Sequence, residues 1–183
     1  MAEGATPGPP TTARSRPALQ PTVSRRRRDA SIGYLVAAWL GAVALFGAVV
    51  APAAFAALPS RALAGALVGR VLPVLFIAGM VVGLLVVVSA RGVGARRLRA
   101  GRLIAGAVLL ASCAVAQFVI GGRIERARAE AGGSLDQLAA DHPIRVTFGR
   151  LHGLSVAGLA VAALSGAAAL ILLASAPDSR HSP

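Results

Sequence analysis

Five side chains in this sequence carry most of its chemical potential: Gln117, His152, Ser155, Arg70 and Arg150. An imidazole can both donate and accept a proton or hydrogen bond, a primary amide and a hydroxyl do the same without charge, and a guanidinium adds a fixed positive charge with a fork of donors. Catalysis asks for more than these types. A general base needs a partner that orients it, and no triad spacing, paired carboxylates or Gly-rich phosphate loop accompanies His152. Metal chemistry is short of ligands. The chain has three His, of which His142 and His181 fall outside the apolar stretches, and its single Cys (Cys113) and mid-stretch Met80 do not complete a zinc or copper coordination sphere. Bis-His haem would need a second membrane His facing His152. The expectation is therefore a non-enzymatic protein with no catalytic, cofactor or metal residues. Its one candidate site is a polar cluster of Gln117, His152, Ser155, Arg70 and Arg150. The plainer role for that cluster is interhelical hydrogen bonding, worth about 1 kcal/mol per bond.

The elements that must position these residues follow from composition. The 183 residues are 56% apolar with mean hydropathy +0.71, yet the formal charge is +12 and the pI about 12.0. Soluble domains run at about 45–50% apolar. Both extremes coexist because charge and apolar residues occupy different stretches. Residues 1–30 carry Pro7, Pro9, Pro10, Pro17 and Pro21 among Ala, Thr and Ser and end in Arg25-Arg26-Arg27-Arg28, the composition of a disordered tail. Residues 31–58 hold no charge. A signal peptide is the decoy reading there, with Ala54-Phe55-Ala56 as a cleavage site, but a signal core is only about 7–15 residues.

About 20 apolar residues cross a hydrocarbon layer of roughly 30 Å. Four such spans are expected, at 34–57, 71–90, 103–121 and 154–175, inside a membrane domain of 31–176 with a short tail at 177–183. Tyr34 and Trp39 read as interface aromatics. Pro52 should kink the first helix. Pro59-Ser60 should stop it and cap the next, which runs from Arg61 to Ser89. The third helix should continue past the bilayer through Glu125 and Arg128, spaced three apart, until Gly132-Gly133-Ser134 breaks it. Pro143 suits the first turn of the fourth. The predicted fold is an all-α, four-helix transmembrane bundle whose third and fourth helices extend beyond the bilayer.

All 19 of the Lys and Arg residues are Arg, with no Lys at all, as a GC-rich genome would favour. Their positions speak to orientation. The tail carries Arg14, Arg16 and Arg25 to Arg28, and the loop between spans two and three carries Arg91, Arg96, Arg97, Arg99 and Arg102. Both termini are therefore expected on the cytoplasmic side of a bacterial cell membrane, with anionic lipid headgroups as partners. Nucleic acid is excluded as a partner by the lack of aromatic platforms. No Asp, Glu or Arg sits in the middle of a span, which argues against a proton-coupled pump. Ala37 and Gly41, Gly79 and Gly83, and Gly158, Ala162 and Gly166 form small-residue ridges. They are read as packing within the bundle, with a homo-oligomer as the alternative.

Two strings go beyond composition. Residues 41–76 contain an Ala-Pro-x-x-Phe-x-x-Leu-Pro pattern and an Ala-Gly-x-x-x-Gly helix start, and residues 148–155 read Phe-Gly-Arg-Leu-His-Gly-Leu-Ser. Over 34–175 the chain resembles the transmembrane protein 205 family and its bacterial relatives, and more distantly the copper-resistance D membrane proteins. The resemblance implies a four-span membrane protein without an established reaction, and it points to Phe55, Pro59, Gly65, Pro73, Phe148, His152, Gly153 and Ser155. Leu159 stands where eukaryotic relatives carry an Asn. The functional expectation is interaction with lipid or with other membrane proteins. A transporter or permeation element for a small solute is the alternative, and a haem or copper redox protein is the remote one.

Overall fold

Helix breakers in the sequence account for most of the boundaries in the computed structural model, which describes residues 20–132 and 135–175. Helix α1 runs Gln20–Leu45, passes through a π turn at Phe46–Val50 and ends as Ala51–Ala57. Pro52 has no N–H to offer the preceding turn, and the π turn, in which the Ala51 N–H reaches the Phe46 carbonyl, absorbs that defect. Ser60 caps α2 by accepting from the Leu63 N–H at 3.2 Å. Helix α2 spans Arg61–Ser89 and closes in a 3-10 turn at Ala90–Gly92. Helix α3 comprises Arg96–Ala114, a second π turn at Val115–Ile120, and Gly121–Glu130. It stops at Gly132, whose φ of 62° suits glycine. After a 3-10 turn at Leu135–Gln137, α4 runs Pro143–Ala174, with proline in its first turn.

All secondary structure among the described residues is helical, and the four long helices are each apolar and long enough to cross a membrane. They pack in sequence: α1 on α2, α2 most extensively on α3, α3 on α4, and α4 back on α1, while the diagonal pair α2 and α4 scarcely touch. The result is an up-down-up-down bundle. Its proximal end gathers the start of α1, the α2–α3 loop and the end of α4. Its distal end gathers the α1–α2 loop, the far end of α3 and the start of α4.

The main core fills the proximal and central parts and turns on Trp39, which is buried among Val36, Phe76, Leu109, Cys113 and Ala162. The Trp39 indole N–H donates to the Leu75 carbonyl at 2.9 Å. Two glycines make room for the ring. A Cβ at Gly79 would lie 2.9 Å from it and 2.6 Å from Cys113 Sγ, and one at Gly166 would lie 3.2 Å away. Further along α2, Gly83 and Gly106 bring the α2 and α3 backbones together, since a Cβ on either would stand within about 3 Å of the other's carbonyl oxygen.

Three expectations need correction. The start of the helical domain moves from 31 to Gln20, because the Arg run and Asp29 continue α1 as helix; residues 1–19 and 176–183 lie outside the described residues. Trp39 is a core residue and not an interface anchor: its N–H finds a carbonyl inside the bundle, so it gains nothing from the headgroup zone. Tyr34, by contrast, is 77% exposed. Arg102 does not lie in a loop. It is fully buried on α3, because Asp29 and a helix end supply the partners that a buried guanidinium needs.

The small-residue ridges divide. Gly79, Gly83, Ala162 and Gly166 pack inside the bundle, whereas Ala37 and Gly41 face outward.

Candidate functional site

The two ends of the bundle hold different polar arrangements. At the proximal end, Arg102 Nη1 donates to Asp29 Oδ2 at 2.9 Å, and Nε and Nη2 donate to the Leu172 carbonyl at 3.3 and 3.2 Å. Leu172 lies in the last turn of α4, where carbonyls lack helical partners, so the guanidinium caps α4 while it pairs with α1. Three helices are tied through one side chain. Asp29 Oδ1 is buried without a hydrogen-bond partner.

At the distal end, α2, α3 and α4 surround a partly open cavity of about 750 Å³, within the range of small-molecule sites. Its α2 wall repeats at helical spacing from Arg61 through Gly65, Gly69 and Leu72 to Phe76. At about 1.5 Å rise per residue, those 15 steps cover about 22 Å, from the end of the span toward the bilayer midplane. Among the described residues, the charged ones that line it lie at the mouth: Arg61, Glu125 and Arg128. Val68, Leu72, Phe76 and Ala116 give the inner part an apolar surface.

Arg128 is held over this mouth from three sides. Nη1 donates to Glu125 Oε1 at 3.3 Å, Nη2 donates to the Gly65 carbonyl at 3.1 Å, and the guanidinium carbon lies 5.5 Å from the Phe148 ring centroid. The Phe148 ring is in turn stacked on His152, with centroids 6.2 Å apart and planes at 7°. Glycine on α2 lets the guanidinium lie against the helix backbone. A Cβ at Gly69 would stand 2.8 Å from Nη1, and one at Gly65 would stand 3.5 Å from Nη2. The Ala64-Gly65-x-x-x-Gly69 string thus leaves a slot for an arginine from the neighbouring helix.

Gln117, His152 and Ser155 all line the cavity. Gln117 lies in the π turn Val115–Ile120, where the Gly121 N–H reaches back to Ala116; no proline forces this turn, and its residues Ala116 to Phe118 form the α3 wall. Ser155 is buried on α4 and His152 is exposed one turn away. Interhelical hydrogen bonds were the plainer role for these three, but among the described residues their side chains make none. Arg70 and Arg150 stand apart: both are exposed and neither lines the cavity. Of the positions indicated by resemblance, Phe55, Gly65, Pro73, Phe148, His152 and Ser155 line the cavity, while Pro59 and Gly153 do not.

Sequence reasoning missed Arg128. Its spacing from Glu125 registered only as a sign of helix continuation, and the glycine pair that receives it lies more than fifty residues away on α2. Among the described residues, no three of His, Cys, Asp and Glu converge as metal ligands would.

No curated protein matches the chain, and no solved structure does. One family model matches, that of a domain of unknown function, DUF4149, over residues 34–132. The match takes in α1 from Tyr34, all of α2 and α3, and so the Gly65–Gly69 slot and Arg128, but stops short of α4. With more than half of its length matched, the chain belongs to the DUF4149 family of domains of unknown function.

Proposed function

We propose that this multi-pass membrane protein is non-enzymatic and acts by holding a small membrane-resident molecule in its distal cavity. The observation that carries the reading is the cavity itself: apolar within, charged only at the mouth, and lined by three polar side chains with hydrogen-bonding capacity to spare. A binding pocket accounts for those features better than a permeation path through one chain, because the Trp39-centred core fills the bundle below it. The resemblance to the transmembrane protein 205 family belongs to the same proposal, carried by the string Leu151 to Ser155.

The direct test uses purified protein in phosphatidylcholine nanodiscs with a photoreactive alkyl probe. Labelling should saturate and fall on the α2 and α3 walls between Gly65 and Phe76 and around Ala116 to Phe118. Ala66→Phe, at an exposed wall position, should fill the cavity and abolish most of it. Labelling spread evenly over the lipid-facing surface, unaffected by that variant, would overturn the reading.

The orientation belongs to this proposal too. Arg25 to Arg28 and the Arg96, Arg97 and Arg99 cluster put the proximal end at a cytoplasmic face, each Arg near anionic headgroups contributing about 1 kcal/mol. Reporter fusions at the N-terminus and at residue 138 should report opposite sides, with the N-terminus inside; the reverse polarity would refute the assignment.

A further inference from the structure

We propose that the cavity selects an anionic amphiphile, a carboxylate or phosphate head on an apolar tail, and that Arg128 binds the head. The inference rests on reading the cavity as a binding site and adds the charge and polarity of what enters it.

Arg128 has the position such a head requires. It lies at the distal mouth, beyond the apolar part of α3, while Val68, Leu72, Phe76 and Ala116 line the inner part. A molecule with one charged end and one apolar end matches this polarity along the membrane normal; a fully apolar one would leave the mouth unmatched. A guanidinium has five N–H donors. The bonds to Glu125 and Gly65 use one on Nη1 and one on Nη2, so Nε–H and one N–H on each Nη remain, and the side chain is 26% exposed. That leaves a fork able to grip a carboxylate or phosphate with two parallel bonds.

The arrangement is built, and is not a long side chain reaching for water. The Gly65 carbonyl and the Phe148 ring hold the guanidinium from α2 and α4, and a Cβ at Gly69 would stand 2.8 Å from Nη1 and displace it. Charge favours an anion as well. Among the described lining residues, Arg61 and Arg128 face one acid, Glu125, whose side chain is 68% exposed and bonds Arg128 only at 3.3 Å. A screened, exposed pair of this kind is weak, so an incoming head displaces Glu125 at little cost.

Binding of cis-parinaric acid and of its uncharged methyl ester to the full chain in phosphatidylcholine nanodiscs separates the possibilities. The acid should bind about tenfold more tightly than the ester, and Arg128→Gln should erase that preference. Dodecyl phosphate should compete with the acid, showing that the head's charge matters more than its chemistry. Inorganic phosphate alone should not; equal competition by it would mean a soluble anion site and would overturn the amphiphile. Equal binding of acid and ester by the unaltered protein overturns the role of Arg128 but leaves the cavity's function standing. Binding of neither overturns both. Should Arg128→Gln fail to fold, Glu125→Gln decides. By freeing Arg128 it should tighten the acid several-fold and leave the ester alone, and an unchanged acid affinity would refute the proposal.

Discussion

Arg102 and Arg128 sit near the two ends of α3, about 39 Å apart along the helix axis for 26 residues at 1.5 Å each, and they do opposite things. Arg102 has no exposed surface and spends its donors on a carboxylate from α1 and the last turn of α4. Arg128 is partly exposed, makes two bonds with three N–H donors to spare, and leans over a cavity. The difference lies in what the other helices bring. At the proximal end α1 delivers Asp29 and α4 ends with carbonyls to cap, so the charge is neutralised and the bundle closes around it. At the distal end α1 brings no acid to the guanidinium, the acid is an exposed neighbour on the same helix, and α2 offers bare glycine backbone. Burial of a paired charge makes a lock; incomplete pairing beside an apolar cavity leaves a charge available for a ligand.

That contrast can be broken by mutation. Arg102→Leu should have the largest effect. Stranding a buried Asp29 should cost about 3–5 kcal/mol in detergent or nanodisc unfolding, with most of it recovered in the Asp29→Leu, Arg102→Leu double variant. A loss below about 1 kcal/mol would show that the proximal pair is not desolvated. Next comes Gly83→Ala, whose added Cβ would meet the backbone of Leu110 at 2.8 Å; it should cost about 1–3 kcal/mol. Trp39→Phe removes the bond to the Leu75 carbonyl and should cost about 1 kcal/mol through that bond.

Arg128→Gln should cost about 1 kcal/mol or less, since its contacts are partly solvated, and it should register chiefly in ligand charge preference. Equal destabilisation by Arg102→Leu and Arg128→Gln would erase the distinction between lock and site. Arg70→Gln and Arg150→Gln, both exposed and outside the cavity, should change neither stability nor binding.

Much of the fold was legible because membrane helices are specified locally. The uncharged runs, Ser60 as a cap, Pro143 as a helix start and Gly132 as a stop each act within a few residues, and each appears where local chemistry places it. The site was legible in part. Gln117, His152 and Ser155 stood out because polar groups are rare in these spans, and all three line the cavity. Arg70 and Arg150 stood out because they lie just outside the spans at the same end, yet they do not line it, because sequence gives a residue's depth along a helix more readily than its bearing around the axis. Trp39 misled for a related reason: aromatic residues near a span's start mark interfaces on average, but Gly79 and Gly166 open a slot that takes this one inward.

The amino-acid sequence by itself determines that the chain forms four helices long and apolar enough to cross a membrane, and most of the points where those helices begin and end. These follow from hydrophobic runs long enough to satisfy every backbone group within a helix and from charges that stay out of the bilayer core. Only the tertiary structure decides which arginine is a lock and which is open to a ligand. That depends on Asp29, Leu172, Gly65, Gly69 and Phe148, residues far apart in the chain, because a guanidinium's role is fixed by the partners brought to it in space.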